Sequence, residues 1–149
     1  MAGLSFTDRL EDRMVRITAI ALCLIFAGHV QADEPVDTAQ SVIRAQIKAF
    51  TEDDAEAAYS FASPEIQAKF PDKRLFLDMV KRSYQHLYRP SRFAFGRAKV
   101  VGDEVVQEVL ISGSDGKDWT AIYSLIRDAD NIYRVSGVMM VQTAPGPEL

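Results

Sequence analysis

The sequence predicts an α+β domain in which N-terminal helices pack on one face of a four-stranded antiparallel sheet. Three observations carry this. Apolar residues recur at three- and four-residue steps through the first half of the chain that follows residue 32, the spacing of helices with one buried face. The second half alternates apolar and polar residues in β-branched-rich segments separated by Gly-Asp, Asp-Gly and Asp-Asn turns. Helices first and strands afterwards, without interleaving, means α+β with the helices gathered on one side of the sheet.

Ahead of the domain stands the one strongly apolar run, Ile17 to Ala27. A bilayer-spanning helix needs about 20 such residues, so the run is too short to anchor but suits the apolar region of a secretory leader. Arg13 and Arg16 precede it, and Val30-Gln31-Ala32 supplies the small residues of a cleavage site, placing the cut after Ala32. Asp8, Glu11 and Asp12 are out of place before such a leader, and a start at Met14 would remove them. Cys23 lies inside the apolar run and follows a bulky leucine, so it is not read as a lipidation site. The expected organisation is a leader over 1–32, one domain over 33–143 and a frayed tail over 144–149. The expected location is periplasmic or secreted, with no transmembrane segment in the mature chain.

The mature chain has 14 basic and 18 acidic residues, no cysteine and one histidine, His86. At 117 residues it is long enough for one core without disulfides.

Val36, Ala39, Ile43, Ile47 and Phe50 form the stripe of a first helix, flanked by Gln40 and Gln46. Asp53 or Asp54 caps a short second helix through Phe61. Ser63-Pro64 is an N-cap followed by proline at the first helical position, starting a third helix that ends near Phe70. Asp72 caps a longer helix with Phe76, Val80, Ser83 and Leu87 on one face, closed by Arg89-Pro90. Ser83 in that stripe would allow close approach of another backbone. Strands are expected at 92–101, 104–112, 118–127 and 132–142, with Asp115-Gly116 as a two-residue turn. Trp119, Ala121, Tyr123 and Leu125 share a face.

One histidine and no cysteine exclude a zinc site of the usual kind, and no other cofactor is expected. Glu52, Asp53, Asp54 and Glu56 lack the alternating ligand loop of a calcium site and read as a solvated turn with a cap. There is no G-x-S-x-G elbow and no phosphate-cradling glycine pattern. Net charge −4 and export argue against nucleic acid.

Two features remain. Tyr59, Tyr84, Tyr88, Trp119 and Tyr123 are either core or the walls of a small-ligand pocket, with Arg89 placed to orient an anion. Between Lys69 and Lys99, nine basic residues face only Asp72 and Asp78, while the rest of the mature chain is acidic. That stretch either meets an anionic partner or pairs with the protein's own carboxylates.

The segments Arg44-Ala45-Gln46, Ala49-Phe50, Asp53-Asp54 and Ala58 to Gln67 resemble one bacterial family, as do Phe70, Phe76, Met79-Val80, Tyr84, Leu87 to Pro90, Asp115-Gly116, Trp119 to Ala121 and Tyr123. The family is the domain-of-unknown-function family 4864, similar to the nuclear-transport-factor-2-like group. The resemblance implies a curved sheet wrapped around a long helix into a cone with a pocket. It brings no activity. Tyr133 and Val138 stand where the family pattern leads us to expect tryptophan and cysteine.

Three functions fit this reading. One is an exported, non-catalytic module binding a small apolar or weakly anionic molecule, or a protein. A second is a small isomerase or cyclase using Asp53, Asp54 or His86 with Tyr88. A third is a homodimer through the open sheet face, since Val105, Val106, Val109, Leu110 and Ile111 put apolar groups on both faces. N-terminal sequencing of the exported protein is expected to start at Asp33, and its Tm to be unchanged by dithiothreitol; a reductant-dependent Tm would contradict a cysteine-free mature domain.

Overall fold

The computed structural model describes residues 34–143, so the leader expected over 1–32 and the tail over 144–149 lie outside the described residues. Five helices come first: α1 (Glu34–Thr51), α2 (Ala55–Ser60), α3 (Pro64–Lys69), α4 (Lys73–Ser83) and α5 (Gln85–Tyr88). Four strands follow, β1 (Arg92–Val101), β2 (Glu104–Ser112), β3 (Asp118–Arg127) and β4 (Tyr133–Gln142), in an antiparallel meander of order β1-β2-β3-β4.

α1 carries Glu34 and Asp37 in its first turn and Lys48 in its last, the arrangement that complements the helix dipole. Its buried side chains Ala39, Ile43, Ile47 and Phe50 join Val105, Val109, Ile111, Tyr123, Leu125 and Val135 in one core. Each fully buried Ile, Leu or Val of this interface contributes about 1.5–3 kcal/mol. The shorter helices start where the sequence placed their caps. The Asp54 side chain accepts from Ala57 N, Ser63 from Ile66 N, and Asp72 from Arg74 N and Leu75 N.

Two bulges bend the sheet around α1. One lies on β1 between Phe95 and Ala98, the other on β4 at Ser136, where Leu125 faces Val135 but Ser124 faces Gly137. An extra residue on one strand locally increases twist and bend. The β1 bulge is tied down from within by Gln107, which is fully buried. Its amide nitrogen reaches the carbonyls of Gly96 and Arg97 (both 3.2 Å), and its Oε1 accepts from Gln40 Nε2 of α1 (3.0 Å). A single glutamine thus satisfies bulge carbonyls that burial would leave unpaired, and links them to the central helix.

Three expectations are corrected. The fourth helix does not run on to Arg89: it breaks at Tyr84 (φ −129°, ψ 42°), whose N–H closes on Val80 O while its hydroxyl donates to Val138 O of β4 (3.3 Å). The break turns Ser83 outward, so it is exposed and does not lie in the buried stripe. The β2–β3 loop is wider than two residues. Gly113 N–H bonds Lys117 O (2.8 Å), and Gly116 holds the left-handed φ of +77°.

An ionic clamp fastens the turn after α1 to α4 and α5. Asp53 sits at φ +57°, a conformation aspartate tolerates better than most residues. Its Oδ1 meets Lys81 Nζ (2.8 Å) and accepts from the Tyr88 hydroxyl, and its Oδ2 accepts from Arg89 (2.6 Å). Both cations also lie over the Tyr88 ring. The hydrogen bonds from Lys81 and then Tyr88 hold the Asp53 carboxyl below its ordinary 3.8.

A group with a lowered native pKa stabilises the fold above its unfolded pKa and loses that contribution as pH falls through the native value. Asp53→Asn is therefore expected to lower the urea midpoint at pH 7 and to flatten its decline below pH about 4. An unchanged acid limb would remove Asp53 from the account. Tyr123, 0 % exposed, has a hydroxyl with no hydrogen-bond partner among the described residues, and burial raises its pKa. Removing an unpaired buried hydroxyl is neutral or favourable. Tyr123→Phe is expected to keep or raise the urea unfolding free energy, by up to about 1 kcal/mol; a loss of that size would mean the hydroxyl has a partner.

Candidate functional site

Where the β4 bulge leaves the sheet and α4 gives way to α5, the elements border a half-open apolar cavity of about 260 Å³. Phe76, Met79 and Val80 of α4 form one wall, and Ile66 and Phe70 from α3 and its C-cap another. Phe50 and Gln46 of α1 contribute from the central helix, and Val135 to Val138 close the sheet side. Phe76 organises the aromatic wall: its ring centroid lies 6.4 Å from Phe50, 6.2 Å from Phe70 and 5.6 Å from Tyr59. Edge and tilted contacts of this kind hold rings in fixed orientations.

Four polar side chains line the cavity: Gln46, Lys69, Tyr84 and Ser136. Gln46 is only 2 % exposed. Its Nε2 donates to Ala58 O (3.2 Å), while nothing among the described residues donates to its Oε1. Tyr84 spends its proton on Val138 O, and Ser136 donates to Ser124 O (3.1 Å). Lys69, in the last turn of α3, is exposed and makes no ion pair among the described residues. An apolar pocket with a few convergent polar groups is the usual form of a small-molecule site, and this one is at the small end.

The six residues singled out from sequence lie in several places. Tyr84 alone lines this cavity. Tyr59 packs its ring on Phe76, but its hydroxyl donates to the carbonyls of Gln67 (3.1 Å) and Phe70 (2.7 Å), pinning the end of α3. Tyr88 and Arg89 belong to the Asp53 clamp. Trp119 stacks on His86 with ring centroids 4.6 Å apart, and its buried Nε1 has no partner among the described residues. Tyr123 is in the core beneath α1. The cavity is built largely from residues whose helical spacing marked them as core, such as Phe76 and Val80. Gln46 had a visible signal, a polar residue beside the buried stripe of α1. Lys69 was visible only as one of nine cations.

The groups that an isomerase or cyclase would need lie outside the cavity. Asp53 is in the clamp and Asp54 caps α2. Tyr88 is bound to Asp53, and His86 packs against Trp119 with Nδ1 3.9 Å from Asp115. Among the described residues no three His, Cys, Asp or Glu side chains converge on a metal position, and no helix is long and apolar enough to cross a membrane. Five of the nine residues of the basic stretch pair with carboxylates of the domain, while Lys69, Arg82, Arg92 and Lys99 make no ion pair among the described residues. Lys73 pairs with Glu56, Arg74 with Asp72, Lys81 and Arg89 with Asp53, and Arg97 with Glu108.

Comparison with solved structures finds the same architecture elsewhere. An NTF-2-like protein of unknown function from Silicibacter pomeroyi DSS-3 is 13 % identical, covers 74 % of this chain and 98 % of its own, and superposes with a TM-score of 0.53. An NTF-2-like protein of unknown function from Burkholderia xenovorans LB400 is 12 % identical over 76 % of this chain and 90 % of its own, with a TM-score of 0.48. The first likeness supports the fold alone. No curated protein matches the chain. The family model described as "Domain of unknown function (DUF4864)" matches residues 32–147, nearly the whole domain, and the chain therefore belongs to the DUF4864 family, on an α+β, NTF-2-like fold.

Proposed function

We propose that this chain is an exported, non-catalytic module that binds one small apolar molecule in the cavity between α4 and the bulged stretch of β4. The observation that carries the reading is the lining itself: a half-open aromatic and aliphatic pocket of about 260 Å³ into which a nearly buried amide, Gln46, is set. Such a pocket removes a ligand's apolar surface from water, the main driving force for binding at this scale. Binding without catalysis fits the placement of Asp53, Asp54, His86 and Tyr88, each engaged in holding the fold together. Export rests on the short apolar run with its preceding arginines and small-residue cleavage site.

A second reading, homodimerisation, is favoured by one observation. The sheet face turned away from α1 exposes Leu110 (48 %), Met139 (57 %) and Val141 (44 %). Leu110 and Val141 both flank Thr120, and Met139 lies on the same side. Contiguous exposed apolar groups mark interaction surfaces. A monomer in size-exclusion chromatography at high micromolar concentration would remove this reading.

The binding reading is tested by thermal shift with a panel of small apolar and weakly anionic compounds. A ligand at about 100 times its Kd stabilises by about 2.7 kcal/mol, which is several degrees of Tm for a domain of this size. Met79→Trp, which fills the cavity from α4, is expected to abolish the shift while the protein stays folded by circular dichroism. A panel that leaves Tm untouched, or a shift that survives Met79→Trp, would count against the cavity as the site.

A further inference from the structure

We propose that the ligand of this cavity is a short amphiphilic monoanion, its apolar body against the aromatic wall and its charged group at Lys69. The inference rests on the reading that the cavity binds a ligand at all, and it adds the chemical class.

Among the described residues, Lys69 is the only charged side chain lining the cavity, and no carboxylate does. The two lining hydroxyl protons and one Gln46 amide hydrogen are already engaged. The Tyr84 proton goes to Val138 O, the Ser136 proton to Ser124 O, and Gln46 Nε2 donates to Ala58 O. Lys69, like Arg82, Arg92 and Lys99, makes no ion pair among the described residues, whereas Lys73, Arg74, Lys81, Arg89 and Arg97 each pair with a carboxylate. Of these four unpaired cations, Lys69 is the one that lines the cavity. Lys69 is exposed, so a neutral ligand leaves its ammonium hydrated and gains nothing from it. An anion seated beside it gains a charge-assisted hydrogen bond. With one cation and apolar walls, a second negative charge would be left uncompensated, so the class is a monoanion. At about 30 Å³ per water-sized group, the cavity holds about nine such groups, which fits a single short chain or one ring.

The experiment titrates octanoate and octanamide, matched in length and differing in charge, into ¹⁵N-labelled protein and follows backbone amides. Both are expected to move the amides of Ala62, Tyr84 and Val138. Octanoate is expected to bind about fivefold more tightly, the size of effect a partly exposed ion pair supplies. Lys69→Met should erase that preference, Lys69→Arg should restore it, and Lys99→Met, on β1 away from the cavity, should keep it. Equal Kd values for the two probes, or a preference that survives Lys69→Met, would overturn the monoanion assignment and leave the binding reading standing. Cavity amides that respond to neither probe would overturn both.

Discussion

The packing of α1 across the inner face of the sheet is the constraint on which the rest of the domain depends. Ile43 and Ile47 can be buried only if strands wrap toward the helix from both sides, because a flat sheet would touch it along one line. The bulges on β1 and β4 supply that bend. Each bulge disturbs the regular ladder, and each disturbance is met by a specific group. Gln107 with Gln40 serves the first. At the second, Ser136 Oγ bonds back to Ser124 O, and the segment Phe61 to Ser63 bonds to Val135 on both its N–H and its carbonyl. The polar groups buried here are the counterpart of the curvature.

The cavity arises from the same constraint. Four short helices must cover the end of the core that α1 and the sheet leave open, and short helices are marginal by themselves. Their side-chain caps, Asp54, Ser63 and Asp72, each supply about 1 kcal/mol and fix where each helix starts. The break at Tyr84 then redirects the chain before β1. Aromatic side chains from three of these directions meet at Phe76 without filling the space between them and β4.

Much of the fold was legible in the sequence, because caps, stripes and turn residues are local signals. The three N-caps, the stripe of α1 and the strand alternation of β2 and β3 all stand where periodicity put them. The helix break at Tyr84 was not legible: the tyrosine there reaches Val138, 54 residues away, and no local pattern encodes that contact. The candidate site was legible only in part. Of the residues singled out, Tyr84 lines the cavity, while Tyr59, Tyr88 with Arg89, Trp119 and Tyr123 lie at a helix end, in an ion clamp, in a ring stack and in the core. Whether a buried-face side chain meets another side chain or an opening depends on how well neighbouring elements fill space, and periodicity carries no information about that. The charge asymmetry was plain from composition, yet its resolution into pairs with Asp53, Glu56 and Glu108 required the fold.

The contacts that Phe61 to Ser63 and Tyr84 make with β4 also reach beyond the single molecule. In an open meander the last strand offers its unpaired backbone to any passing chain. Here one stretch of that border is matched by a parallel bridge between Ala62 and Val135, and the next free carbonyl, at Val138, is occupied by a phenol. At the opposite border, β1 is kinked by its bulge and studded with Arg92, Arg97 and Lys99. Both margins are thus poor templates for strand-by-strand growth, so the sheet resists extension at its edges even though it is never closed into a barrel.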